Sequence, residues 1–100
     1  MDPADSVFFV YILSCTDSKG KLTYYTGSTD NLMHRISLHS SGKGAKYTKG
    51  KKIELVHFER YPTRSEAMKR EIEIKNMPLT KKKELFQSKP NDPIQKQKTE

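Results

Sequence analysis

The run Val7-Phe8-Phe9-Val10-Tyr11-Ile12-Leu13-Ser14-Cys15 decides the fold, together with the Asp17-Ser18-Lys19-Gly20 and Leu22-Thr23-Tyr24-Tyr25-Thr26 that follow it. Residues 7–15 are β-branched, aromatic or aliphatic in both parities, the pattern of a strand covered on both faces. Asp, Ser and Gly at 17–20 supply turn chemistry. A second strand then runs from Leu22 and stops near Gly27. Two strands joined so closely read as an antiparallel hairpin. A hairpin centred near Ser18 sets Tyr11 nearly opposite Tyr25, because the two are equidistant from that residue.

Outward from the hairpin, Ser28-Thr29-Asp30 offers three consecutive helix N-caps. The helix after them carries Leu32, Met33 and Ile36 on one face and ends in Ser40-Ser41-Gly42. A loop rich in Gly and Lys follows to Lys52. Residues 53–59 alternate polar and apolar side chains, with Val56 breaking the pattern, which predicts a third strand at an edge or with one exposed face. Thr63-Arg64-Ser65-Glu66 is a capping box, so a second helix starts there and runs to about Asn76, before Pro78. Thr80 to Gln87 predicts a third helix anchored by Leu85 and Phe86. The domain is expected over residues 7–87, with an N-terminal extension at 1–6 and a disordered basic tail at 88–100. The expected fold class is α+β: a small three-stranded antiparallel sheet flanked by two to three helices.

Composition narrows the function. One hundred residues make one small domain, with 33% hydrophobic residues and a mean hydropathy of −0.85. Such a chain buries roughly 60–70% of its unfolded surface. No segment approaches the roughly 20 apolar residues of a membrane span, so no membrane partner is expected. The acidic start Met1-Asp2-Pro3-Ala4-Asp5 does not resemble a signal peptide. The single cysteine, Cys15, allows no internal disulfide. An intracellular protein is expected, cytoplasmic or associated with a nucleoid or nucleus. His34, His39, His57 and Cys15 lack zinc-ligand spacing. Nineteen Lys and Arg against 12 Asp and Glu give a net charge of +7. An excess of that size suits an anionic partner: DNA first, with RNA as the other polyanion the charge admits.

Three placements stand out. On a wheel of the second helix, Ala67, Met68, Ile72 and Ile74 share one arc, and Glu71 falls inside it. A carboxylate there must be paired, protonated or bound to a cation; an ordinary ion pair with Lys75, one turn on, is the plainer reading. Glu66, Lys69, Arg70, Glu73 and Asn76 fall on the solvent side. On the first helix, Arg35 and His39 stack four apart at the edge of the apolar stripe. A lone arginine there would snorkel; an Arg and a His together suit a phosphate. Third, Tyr11 and Tyr25 stand close in the expected sheet, either as ordinary packing or facing the Arg, His and Glu on one sheet face.

These residues carry a resemblance. Phe9-Val10-Tyr11, Tyr25-Thr26-Gly27, Asp30-Asn31-Leu32-x-x-Arg35-x-x-x-His39, Ser41-Gly42-Lys43-Gly44-Ala45-Lys46-Tyr47-Thr48 with Glu54-Leu55-Val56, and Arg64-Ser65-Glu66-Ala67-x-x-Arg70-Glu71-x-x-Ile74-Lys75 are similar to the GIY-YIG nuclease family, in its small stand-alone, YhbQ-like branch. Phe9 replaces the first glycine of the motif. The family's downstream asparagine has no secure counterpart, Asn76 and Asn91 both fitting poorly.

The resemblance implies a metal-dependent DNA endonuclease, selective for branched or damaged DNA. Its catalytic residues would be Tyr11, Tyr25, Arg35, His39 and Glu71. Glu71 would be the protein ligand of a single Mg²⁺ or Mn²⁺, which keeps waters and phosphate oxygens for its remaining positions. Tyr11 would take the proton from the attacking water, and a positive site is expected to favour its phenolate. Tyr25 would orient the water or replace Tyr11, Arg35 would grip phosphate oxygens, and His39 would donate a hydrogen bond. Lys43, Lys46, Tyr47, Lys49, Lys51 and Lys52 would track the nucleic-acid backbone; a solvated loop is the plainer reading of any one lysine. Lys81, Lys82 and Lys83 read as a solvated helix face. No targeting domain is visible, so target choice is expected to be missing or to come from a protein partner. No exposed apolar stripe demands a dimer. The rival reading is a nucleic-acid-binding module that keeps the fold without cutting.

Overall fold

A computed structural model describes residues 7–87; the expected extension at 1–6, the expected tail at 88–100 and Asn91 lie outside the described residues. The elements in order are β1 (Phe8–Thr16), β2 (Leu22–Thr29), α1 (Leu32–Ser40), β3 (Lys52–Tyr61), α2 (Arg64–Lys75) and α3 (Leu79–Gln87). They form a three-stranded antiparallel sheet in the order β2-β1-β3 with three helices. The α+β expectation holds.

β1 is central because it alone is apolar in both parities. Val10 and Ile12 face α2, where they pack with Ala67 and Ile74; Tyr24, Leu85 and Phe86 close that side. Tyr11, Leu13 and Cys15 face the other way, toward Leu32 and Ile36 of α1 and Ile53 of β3. One strand therefore holds two half-cores, one on each face of the sheet.

The turn places the hairpin register. Asp17 accepts amide hydrogens from Lys19 and Lys21 on Oδ1, both at 2.9 Å, and Gly20 takes a left-handed φ of 84°. The loop so made spans 17–21 and centres on residue 19. Tyr11 therefore pairs with Gly27, and Tyr25 with Leu13. The expected Tyr11–Tyr25 opposition is off by two residues. β2 also continues past Gly27 to Thr29.

In β3, Ile12 pairs with His57 but Leu13 pairs with Leu55, so Val56 is the extra residue of a bulge. That is why Val56 breaks the alternation. Both β2 and β3 are edge strands, as the polar positions of β3 suggested.

The helices depart from expectation in detail. Asn31, not Ser28, Thr29 or Asp30, caps α1 by accepting the His34 amide. Its buried line is Leu32, Ile36 and His39, and Met33 is left 76% exposed. α2 starts at its Thr63 cap, whose hydroxyl accepts the Glu66 amide at 3.2 Å and donates to the Glu66 carboxylate at 3.0 Å. Its buried line is Ala67, Glu71 and Ile74, so Met68 and Ile72 lie in solvent. The line i, i+4, i+7 is narrower than the arc drawn from hydrophobicity alone. Arg70 is not on the solvent side. Its Nε and Nη2 bond both oxygens of Glu59 at 2.8 and 3.0 Å, and Nη1 bonds Glu73 at 2.7 Å. Among the described residues, no helix is long and apolar enough to cross a membrane.

Candidate active site

Tyr11 crosses beneath its partner strand. A Cβ at Gly27 would stand 2.5 Å from the Tyr11 hydroxyl and 2.7 Å from its Cζ. The glycine of Tyr25-Thr26-Gly27 is thus the space into which the phenol extends. At its far end the Tyr11 hydroxyl meets His39 Nε2 at 3.0 Å. Tyr11 is 2% and His39 1% exposed.

The other imidazole nitrogen sets the direction of that bond. His39 Nδ1 lies 2.8 Å from Thr48 Oγ1, and the Thr48 hydroxyl donates its one proton to the Ala45 carbonyl at 3.1 Å. Thr48 can then only accept from Nδ1–H. Nε2 is left with a lone pair, and the Tyr11 hydroxyl donates to it. Gly44 lets the loop reach this close, since a Cβ there would fall 2.6 Å from His39 Cγ. Thr48 lay inside a motif run of the sequence, but nothing in its spacing separated it from its neighbours.

Burial is the largest influence on both partners. It pushes Tyr11 well above the usual phenol range; Tyr25 and Glu71 push the same way, against Arg35. The expected positive environment is therefore outweighed at Tyr11. Burial and then Arg35 hold His39 below its ordinary 6.5, which keeps it neutral and able to accept a proton. Tyr25 sits beside this pair, its ring 6.4 Å from Tyr11 and 5.0 Å from His39. It is half-buried, more open than Tyr11.

Arg35 also comes in from α1, and its buried Nε has no partner. Glu71 arrives from the opposite sheet face. Ser28, the cross-strand neighbour of Val10, donates to Glu71 Oε1 at 2.6 Å. Lys75 donates to Oε2 at 2.7 Å. The five residues thus do not share one sheet face, contrary to the expectation from the sequence. Tyr11, Tyr25, Arg35 and His39 gather on the α1 side, and Glu71, on the α2 side, bears on Tyr11 through its charge as the smallest of several influences. The Lys75 ion pair, the plainer reading of Glu71, is present too.

The donor set suits a hard cation. Glu71 and Ser28 offer oxygen only, and Lys75, 52% exposed, covers one carboxylate oxygen with a chain free to swing into solvent. Among the described residues, no three or more His, Cys, Asp or Glu gather in a group that could hold a metal. One carboxylate is enough for Mg²⁺ or Mn²⁺, which retain water and take substrate oxygens, and is not enough for a dedicated protein cage.

In the basic loop, Lys43, Lys46 and Lys49 are exposed, as is Lys52 at the start of β3. Lys51 is not free: its Nζ sits 3.8 Å from the Tyr47 ring centroid, and the other neighbour of that ring is Tyr25, stacked at 6.0 Å. Beside Tyr47 runs an open groove of about 280 Å³ lined by Tyr24, Tyr25, Thr26, Tyr47, Lys75 and Lys82. Lys82 therefore belongs to a surface near the site and not only to a solvated face. The sequence reading missed Tyr24 and Lys82 here because their helix and strand meet only in the fold. Asn76 caps α2 and takes no part in the site.

A family model for the GIY-YIG catalytic domain matches residues 7–84. The UPF0213 protein of Natronomonas pharaonis is 49% identical over 78 residues, covering 77% of this chain and 87% of its own. That of Oceanobacillus iheyensis is 42% identical over 84 residues, covering 83% and 93%. The solution NMR structure of a UPF0213 protein from Bacillus halodurans is 38% identical, covering 85% of this chain and 87% of that one, with a TM-score of 0.49. With its two tyrosines, arginine, histidine and glutamate standing in a match of this length, the chain belongs to the GIY-YIG family of nuclease domains, among the small UPF0213 proteins.

Proposed function

We propose that this protein hydrolyses phosphodiester bonds in DNA, with a divalent cation at Glu71. The observation that carries the reading is the hydrogen bond from the Tyr11 hydroxyl to a His39 Nε2 whose lone pair is fixed by Thr48. A buried phenol is a poor base by itself. With a neutral imidazole at 3.0 Å, it can take a proton from water while giving its own to His39. Water loses its proton to the Tyr11 oxygen, the Tyr11 proton moves to Nε2, and the hydroxide attacks phosphorus as the P–O3′ bond breaks; the leaving O3′ takes a proton from solvent water, and the imidazolium of His39, held below its ordinary 6.5, returns its proton to solvent through Tyr11. Arg35, a fork of five donors, gives one edge of the guanidinium to the scissile phosphate. Tyr25, more open, orients the attacking water. Mg²⁺ or Mn²⁺ held by Glu71 would supply Lewis-acid polarisation of the scissile phosphate. Lys43, Lys46 and Lys49 supply sequence-independent grip, and selectivity for branched or damaged DNA would come from how a strand lies in the Tyr47 groove.

A second reading, a binding module that does not cut, is favoured by the Lys75 ammonium closing one oxygen of Glu71. One experiment separates them. Wild type and Glu71→Ala are incubated with labelled duplex, single-stranded, flap and four-way DNA, and with RNA, in Mg²⁺, Mn²⁺ or EDTA. Metal-dependent cutting by wild type alone, with the variant still binding, supports hydrolysis and names the substrate form. Equal binding by both, with no cutting in any metal, leaves the binding module.

A further inference from the structure

A small cleft of about 80 Å³ opens at the end of the sheet where β1 begins and β2 ends. It is lined by Phe8, Ser28, Thr29, Asp30, Arg35, Arg64 and Ala67. Two guanidinium-bearing residues share this space, Arg35 from α1 and Arg64 from the first turn of α2. The contrast with Arg70 on the same helix is instructive, because Arg70 is saturated by Glu59 and Glu73. Among the described residues, neither Arg35 nor Arg64 has a carboxylate within ion-pair distance, although Asp30 lies on the wall of the cleft. Arg35 Nε is buried with no acceptor. Arg64 is exposed, and its guanidinium carbon lies 5.4 Å from the centroid of the Phe8 ring, a contact that leaves its N–H donors facing water. One guanidinium with a buried, unpartnered donor and a second without a carboxylate partner, lining the same small cleft, suit a tetrahedral oxyanion.

The cleft is joined to Glu71 by a single hydroxyl. Ser28 lines it and donates to Glu71 at 2.6 Å. The geometry points to a second phosphate subsite, in which Arg64 with Arg35 holds a phosphate group of the strand adjacent to the one at Glu71. Arg64 is then a positioning residue that sets where along the strand the scissile bond falls. This rests on the nucleic-acid reading of the site. The phosphate can belong to an internal diester or to a 5′-phosphorylated end, and the test distinguishes the two.

Full-length wild type, Arg64→Ala, Arg64→Lys and Lys69→Ala are titrated with fluorescent oligonucleotides bearing a 5′-phosphate or a 5′-hydroxyl, in EDTA, at several salt concentrations. Lys69 is exposed on the far side of α2, so its loss removes one charge without touching the cleft. Arg64→Ala is expected to weaken binding about 10-fold or more and to lower the salt slope by about one unit. Arg64→Lys keeps the charge, loses the fork and falls between; Lys69→Ala changes binding less than about 2-fold. A loss confined to the 5′-phosphorylated strand assigns the subsite to a strand end, and an equal loss on both assigns it to an internal phosphate. Equal weakening by Arg64→Ala and Lys69→Ala overturns the subsite, as does full affinity in Arg64→Ala. Cutting assays in Mg²⁺ then read the KM-against-kcat split, with the effect of Arg64→Ala expected in KM. Because binding is read without metal, a protein that never cuts can still show the subsite, and one that cuts can still lack it.

Discussion

Tyr11 and His39 form a donor–acceptor pair whose sense is set by Thr48, and this is where single substitutions act most directly. Tyr11→Phe removes the proton carrier and changes little else, so kcat is expected to fall on the order of 10²–10⁴-fold with binding kept. His39 also answers to pH. Its folded pKa lies below the ordinary 6.5, so the unfolded chain takes up the proton first. The stability due to neutral, buried His39 is whole above about 6.5 and is lost as pH falls through the folded value. Urea midpoints at pH 7.5 and pH 5.5 should therefore drop in wild type by more than in His39→Gln. At this scale much was legible. Tyr11, Tyr25, Arg35, His39 and Glu71 stood out together by type and spacing, although an ion pair was the plainer reading of Glu71 and packing that of each tyrosine, and their roles came from the resemblance. The Tyr11–Gly27 pairing was not legible, because register depends on how Asp17 and Gly20 close a turn, and two residues of slip leave the same side chains on the same face. Thr48 could not be seen at all, since its role exists only once Gly44 has let the loop close on His39.

Between elements, β3 is tied to α2 by a polar cluster that serves stability. Burial alone would push the Glu59 carboxyl up, but hydrogen bonds from Arg70, Tyr61 and His57 together outweigh it and hold the pKa down at about 2. The contribution of this cluster is whole above the carboxyl's ordinary 4.5 and is lost as pH falls toward about 2. Glu59→Gln leaves Arg70 without its forked acceptor, and about 2 kcal/mol of stability should go with it at pH 7. Urea unfolding measures that loss. The capping box at Thr63 and the alternation of β3 announced these two elements. Neither pattern announced their bond. Glu59 and Arg70 are each unremarkable polar positions, and only the bulge at Val56 and the pitch of α2 bring them into line.

Across the whole molecule, the net charge of +7 includes a run of exposed lysines in the loop before β3, Lys43, Lys46 and Lys49. If Lys43, Lys46 and Lys49 contact phosphates, replacing all three by Ala should lower the slope of log Kd against log salt by about 2 to 3 units. Titrations between low and moderate salt read this directly. That the loop was basic was plain from the sequence. That the site has Glu71 on one face and the tyrosines on the other was not, since periodicity says which residues are buried but not which face receives them. The loop from Lys43 to Lys52 has one more property. The residues on either side of Thr48 are Tyr47, stacked on Tyr25, and Lys49, open to solvent. The segment that would feel the pull of a bound strand is therefore the segment that decides which imidazole nitrogen is free. On the proposed reading, holding and cutting would share one mechanical part, so a loop loosened to release product faster would also lose its command of the proton.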